Sequence, residues 1–218
     1  MGLIPLLFLI VKILNLYAGI GGNRKLWEDV DVTAVELNPG IAKIYQDFFP
    51  KDEVIVADAH EYLLENFKEY DFIWSSPPCP THSRFNHLSI SQCKKILYPD
   101  MKLYEEIILL KTFFNGQYCV ENVITYYDPL ITPIKSNSHY YWTNFYFAKK
   151  ENTIRHIRGQ DVMNKKLDKK FNIDISNYNL KQKFRQKILN NCVDPEDGLH
   201  ILNAARGIKT HLDQRELF

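Results

Sequence analysis

The residues of this chain best suited to covalent chemistry lie in the stretch Trp74-Ser75-Ser76-Pro77-Pro78-Cys79-Pro80. The run before it, Tyr70-Asp71-Phe72-Ile73-Trp74, reads as a short buried strand. Proline cannot continue a ladder, so the chain has to turn at Pro77. A lone cysteine on a stiff turn just past a strand end is presented to a cleft, which is how a nucleophile is mounted. The same stretch also suits a buried cysteine acting as a small hydrophobe, and taken alone it leaves both readings open.

Around this stretch, three acids fall at the ends of other apolar runs. Glu36 ends a strand over 32–35, Asp58 one over 54–57, and Glu121 one over 117–120, where it begins Glu121-Asn122-Val123. An acid at the tip of the second strand of an α/β unit accepts hydrogen bonds from ribose hydroxyls. Asp58 can also cap a helix over 59–66, and both roles can hold at once. The first strand, 11–17, runs into Ala18-Gly19-Ile20-Gly21-Gly22, where glycines let the backbone turn tightly and approach a ligand. The pattern Tyr-x-Gly-x-Gly-Gly departs from the dinucleotide fingerprint and fits adenosine without a pyrophosphate. A helix is expected to begin over 23–29, with its N-terminus facing the same space.

Asn38-Pro39 opens a further helix over 40–48, with Ile41, Ile44, Tyr45 and Phe48 on its inner face. A long polar loop, 81–95, carries His82, Arg84, His87 and Lys94. A helix over 99–114, a strand over 140–148 and a closing helix over 195–205 complete the pattern. Strands alternating with helices make an open α/β sheet whose strand tips line one edge. Gathering the glycine turn, Glu36, Asp58, Cys79 and Glu121 on that edge predicts an adenosine-type cofactor beside a thiol and a carboxyl group.

A hydrophobic fraction of 45% over 218 residues is enough for a real core, which excludes wholesale disorder. The net charge of +1 conceals an uneven distribution. Residues 149–187 hold 12 Lys and Arg against 4 Asp and Glu, leaving 15 basic and 22 acidic residues elsewhere. Such a basic segment suits a polyanion, or else a solvated lysine-rich face. The four cysteines, Cys79, Cys93, Cys119 and Cys192, have neither zinc-knuckle spacing nor a disulfide framework, so reduced thiols in the cytoplasm and no metal are expected. Residues 1–11 are apolar but broken by Pro5, too short to span a bilayer, and without a basic leader, so no membrane association is expected. A start near Val11 would make the first ten residues an upstream extension.

In type and order these motifs resemble the DNA (cytosine-5) methyltransferases over most of the chain. Tyr17-Ala18-Gly19-Ile20-Gly21-Gly22 is similar to the family's glycine motif for S-adenosyl-L-methionine, Glu36-Leu37-Asn38-Pro39 to its ribose-binding acid, and Asp58-Ala59 to the residues at the adenine ring. Pro77-Pro78-Cys79 resembles the nucleophile motif and Glu121-Asn122-Val123 its partner. Asn191-Cys192-Val193-Asp194-Pro195 resembles a divergent form of the segment that folds back onto the cofactor, with Asn190 and Cys192 where Gly and Ser are usual.

The resemblance implies a Rossmann-like S-adenosyl-L-methionine-dependent methyltransferase fold with a small basic appendage. The catalytic domain would be 1–148, a short target-recognition region 149–187, and 188–218 a segment returning to the catalytic domain. It implies Cys79 and Glu121 as catalytic residues, with Pro78, Asn191 and Val193 joining the glycine, ribose and adenine motifs around the cofactor. Asn122, Arg84, His139, Arg155 and Arg158 are the expected DNA contacts, with His156 and Gln160 as further base readers. Where the family carries base-holding arginines this chain reads Ser136-Asn137-Ser138-His139, and Lys135, His139, Arg155 and Arg158 are the candidates to replace them.

The implied chemistry is methylation of carbon 5 of a flipped cytosine in double-stranded DNA, with S-adenosyl-L-homocysteine as product and a restriction endonuclease as a possible cognate partner. A thiolate is the reactive form, so the site is expected to lower the pKa of Cys79. Three rival readings stand beside this one: a tRNA cytosine-5 methyltransferase, an exocyclic-amine methyltransferase, and a degenerate fold that binds DNA without turnover. The second of these needs neither the cysteine nor Glu-Asn-Val.

Overall fold

The computed structural model describes residues 11–84, 97–150 and 172–208. Its centre is a seven-stranded sheet in the order β3-β2-β1-β4-β5-β7-β6. The strands are β1 (Val11–Leu16), β2 (Val30–Val35), β3 (Glu53–Ile55), β4 (Phe72–Ser75), β5 (Gln117–Val123), β6 (Ile134–Ser136) and β7 (His139–Thr143). β1 to β5 pair in parallel; β7 runs antiparallel between β5 and β6. The helices are α1 (Pro39–Phe48), α2 (Ala59–Asn66), α3 (Lys102–Phe113), α4 (Gln182–Asn190) and α5 (Pro195–Ala205). The fold is Rossmann-like, as expected.

Both sheet faces are covered, so successive residues of the central strands bury in opposite directions. Leu14, Leu16 and Ile73 pack with Leu63 of α2 and with Ile107 and Leu110 of α3. Their neighbours Ile13, Phe72 and Trp74 pack with Trp27, Phe147 and the α5 residues Ile201 and Leu202. A third cluster joins Ile20 and Ile44 to Ile173, Ile175, Ile188 and Leu189, which docks α4 beside the glycine turn. Three helices start where side-chain caps satisfy their free amides. Asn38 accepts from Gly40 and Ile41, Asp58 from His60 and Glu61, and Asp194 from Glu196. Among the described residues no helix is long and apolar enough to cross a membrane.

The expected helix over 23–29 does not form; residues 22–26 are turns. The side chains are pinned elsewhere. Buried Asn23 exchanges hydrogen bonds with Asn15, Arg24 pairs with Asp52 at 2.8 Å, Trp27 enters the core, and Asp29 takes a positive φ of 54°. The last expected strand stops at Thr143 because Asn144 turns the chain away. Its amide donates to Gly116 O and its carbonyl accepts from the Tyr118 amide, while Phe145 and Phe147 pack inward. β6 is the short partner of a hairpin whose two-residue turn holds Asn137 at φ 52°. α4, read as weakly periodic basic chain, buries Ile188 and Leu189 and leaves its lysines outward. It straddles residues 187 and 188, where the sequence reading divides the basic region from the returning segment.

Candidate active site

The strand order reverses between β1 and β4, and a crevice opens beyond the carboxyl ends of two such strands. The glycine turn follows β1 and the proline turn follows β4, so they face one another across this switch point. A single cavity of about 710 Å³ fills it. Tyr17, Ala18, Gly19, Ile20 and Gly22 line one side; Glu36 and Leu37 lie beyond β2, Asp58 and Ala59 beyond β3. Pro78 and Cys79 line the opposite side with Glu121, Asn122 and His139, and Asn191 and Val193 come from the returning segment.

The turn is built for a ligand. Gly19 has φ 56°, and a Cβ added there would meet nothing within 4 Å, so its surface is open. Gly22 is tight for a different reason: a Cβ would overlap Cys192 Sγ and Val193 O, so only glycine lets the returning segment close on the turn. Gly21 lies outside the cavity lining; at φ 80° its missing Cβ makes room for the Tyr45 and Phe49 rings. Glu36 accepts from the Gly19 amide at 3.0 Å through one oxygen and from the Asn38 amide at 2.9 Å through the other. Each oxygen keeps acceptor capacity for a diol. Asp58 caps α2 with Oδ1, while Oδ2 lies 3.9 Å from Lys102 Nζ. Its two expected roles are thus compatible.

On the other side, β5 runs past the end of β4: Ser75 pairs with Val120, and Glu121 is the first residue beyond. β7, on the other side of β5, pairs from Cys119 onward and carries the ladder past β4, setting Glu121 against Tyr141 and Val123 against His139. Glu121 is therefore held in a strand and is 7% exposed. Asn122 faces the proline turn, its amide donating to Pro77 O at 3.0 Å and its carbonyl accepting from the Val123 amide at 2.9 Å. The residues after Cys79 turn back at once, with the His82 and Ser83 amides both donating to Cys79 O at 3.0 Å. His82, buried against Tyr127 Oη at 2.6 Å, fixes the outgoing chain. Cys79 is half-buried, neither sealed in the core nor free on the surface.

The expectation of a lowered thiol pKa is not met. Burial, and secondly the negative charge of Glu121, push the Cys79 thiol up. His139 Nε2 stands 3.6 Å from Glu121 Oε1. The Ser136–His139 stretch, marked in the sequence by its missing arginines, therefore delivers a histidine to the carboxyl group.

Of the expected DNA contacts, Asn122 and His139 line the cavity, while Arg84 is exposed and does not. Arg155, Arg158, His156 and Gln160 lie outside the described residues, as do His87 and Lys94. Sequence reasoning missed Phe184, Lys187 and Ile188 of α4, and Asp100, Lys102 and Leu103 at the start of α3, all of which line the cavity. The three α4 residues recur at helical spacing, a signal present in the sequence but masked by the surrounding lysines.

The family model for C-5 cytosine-specific DNA methylases matches residues 11–98. The chain matches no curated protein. Among solved structures it is similar to a DNMT2 mutant of Spodoptera frugiperda, at 21% identity and TM-score 0.42, covering 68% of this chain and 56% of that one. It is also similar to a hypothetical protein of Thermus thermophilus, at 14% identity and TM-score 0.40, covering 62% and 74%. A SAM-dependent methyltransferase of Agrobacterium tumefaciens follows at 16% and 0.33, covering 54% and 40%. At these scores none bears on what this chain acts on.

Proposed function

We propose that this chain, whose residues 11–98 match the family model for C-5 cytosine-specific DNA methylases, is an enzyme that methylates carbon 5 of cytosine in double-stranded DNA. The observation that carries this reading is the lining of one cavity by Cys79, Glu121 and the glycine turn. A volume of about 710 Å³ falls in the range of roughly 300–1,000 Å³ typical of ligand pockets. The donor set fits S-adenosyl-L-methionine: Glu36 for a ribose diol, the Asp58-Ala59 segment for the adenine end, and the open Gly19 surface between them. When bound, that group supplies the electrophilic methyl.

This chain's residues do the rest. Cys79 adds to carbon 6 of the ring, which becomes enamine-like and nucleophilic at carbon 5. The ring nitrogen N3 gains negative character as the S–C bond forms, and a protonated Glu121 donates to it there. Burial and the Glu121 charge hold Cys79 as a thiol at rest. Passage of its proton to the Glu121 carboxylate as the S–C bond forms supplies both the attacking sulfur and the neutral acid, so that the two are never anions together. Asn122 holds Pro77 and so fixes the height of the nucleophile turn. Loss of the carbon 5 proton and elimination of the Cys79 thiolate restore the aromatic ring.

A base inside a duplex cannot reach Cys79, so the cytosine has to be extruded, at a cost of a few kcal/mol recovered by contacts in the cavity. The basic residues of 149–187 and Lys187 at the cavity wall supply phosphate contacts. His139 takes the part of the absent arginines beside Glu121.

Cys79→Ala is expected to abolish labelled-methyl transfer to DNA while leaving S-adenosyl-L-homocysteine binding close to wild type. The wild type is expected to form a covalent adduct with duplex DNA carrying cytosine fluorinated at carbon 5. Turnover by Cys79→Ala would overturn the mechanism, and label incorporated into tRNA in preference to DNA would reassign the substrate.

A further inference from the structure

Beneath the cavity lies a carboxylate with no part in the steps above. Glu106 of α3 is fully buried. Its Oε1 accepts from Tyr17 Oη at 2.6 Å and lies 3.1 Å from His60 Nδ1; its Oε2 accepts from Ser75 Oγ at 2.5 Å. The three partners come from three places that matter to the site. Tyr17 is the first residue of the glycine motif, at φ 55°, a region non-glycine residues seldom adopt. Ser75 ends β4, four residues before Cys79. His60 sits in the first turn of α2, two residues after the Asp58 cap, which accepts from its amide.

A buried carboxylate is costly unless its oxygens are satisfied. Here that cost is offset by donors from the tips of β1 and β4 and from the start of α2. An apolar side chain at 106 would fill the same core position without bridging the strand tips. The Tyr17 and Ser75 hydroxyls both donate to this one carboxyl group, so the side chains that end the two strands meet on it.

We propose that Glu106 is a positioning residue, a clamp that holds the cofactor turn after β1 and the nucleophile turn after β4 at a fixed separation. It does not line the cavity. Its effect on the reaction is to keep Cys79 within reach of a methyl donor held by Gly19 and Glu36. This rests on the proposed reading only in calling the first turn the cofactor side; the mechanical coupling of the two turns does not depend on it.

The test uses the full chain and three readouts: S-adenosyl-L-homocysteine affinity by calorimetry, the alkylation rate of Cys79 by iodoacetamide, and amide exchange at 17–22 and 75–80. Tyr17→Phe is expected to weaken the ligand about tenfold, the size of one hydrogen bond to a charged group, and to change Cys79 alkylation less than twofold. Ser75→Ala is expected to do the reverse. Glu106→Leu is expected to disturb both together and to raise exchange at both turns, with α5 unaffected. Should that variant fold poorly, Glu106→Gln serves instead, since its amide can keep two of the three partners and is expected to give the same paired pattern at smaller amplitude. A lowered Tm with ligand affinity, alkylation and exchange at both turns near wild type would overturn the clamp and leave Glu106 as core polarity. Wild type that fails to bind S-adenosyl-L-homocysteine would overturn the cofactor reading instead, and the alkylation and exchange patterns would still decide the clamp.

Discussion

Two side chains decide whether this cavity can make a carbon–sulfur bond. Cys79 and Glu121 line one cavity, and the negative charge of Glu121 opposes the Cys79 thiolate. Burial alone would leave Cys79 an inert thiol; the charge of Glu121 raises its pKa further. Removing that charge is therefore expected to make the thiol more acidic even as it weakens catalysis. In Glu121→Gln, the pH midpoint for Cys79 alkylation is expected to move below that of the wild type, read from rates across pH 6 to 10. Glu121→Ala is expected to lower kcat by about 10²–10³, the usual effect of deleting a donor to developing charge. An alkylation midpoint that did not move would mean that the two groups do not sense one another, and the shared proton would go with it.

At the scale of elements, the site depends on how closely the returning segment seats on the glycine turn. Gly22→Ala would push a methyl group into Cys192 Sγ and Val193 O. It is expected to cost about 1–3 kcal/mol of stability, measured by denaturant unfolding, and to weaken S-adenosyl-L-homocysteine as well. Lost stability with unchanged affinity would show that Asn191 and Val193 do not form a wall of the ligand site. α2 carries a pH dependence of its own. The hydrogen bond to Glu106, opposed by burial, raises the pKa of His60, with Glu105 adding to the rise and Lys102 working against it. A raised folded pKa contributes stability that is complete below the unfolded value, about 6.5, and is lost as pH rises through the folded one. The Tm advantage of wild type over His60→Gln is expected to shrink from pH 6 to pH 9. An advantage that grew over that range would reverse the assigned sign.

These elements also show what can be read before any coordinates. The parallel strands and the helices capped by Asn38, Asp58 and Asp194 follow local rules that a sequence displays directly, namely apolar runs and cap residues. So do the strand-tip acids and the cysteine after two prolines. What stays hidden depends on distant partners. The turns at 23–29 are set by Asn15 and Asp52, and the end of β7 is set by Gly116 and Tyr118. The direction of the Cys79 shift runs against expectation because a sequence, though it sets Cys79 and Glu121 on one edge, does not show how deeply the sulfur is buried, and burial is the larger cause of the rise. Glu106 reads as one more charge on an amphipathic helix until Tyr17, Ser75 and His60 are seen to meet on it.

For the whole molecule the governing fact is an acidic body joined to a basic region. Overall charge is +1, so the chain has no long-range pull toward a polyanion as a unit. Residues 149–187, with 12 basic side chains against 4 acidic, do have one. Their last described part is α4, where Lys183, Arg185 and Lys187 lie on a helix whose wall residues reach the cavity. A duplex phosphate backbone lying along α4 would thus be tethered next to the crevice into which a base is to be turned. Neutralising about five phosphates predicts a slope of log K against log salt near −4.5, a loss of roughly 10²–10³ in affinity between 50 and 200 mM salt. Lys181→Gln with Lys183→Gln, both exposed and outside the cavity lining, is expected to flatten that slope by about 2 without altering S-adenosyl-L-homocysteine affinity in the absence of DNA. Fluorescence anisotropy of a labelled duplex across a salt series measures both. A slope unchanged in the double variant would place the phosphate contacts away from α4, and a flat salt series in the wild type would remove charge neutralisation as the basis of DNA binding.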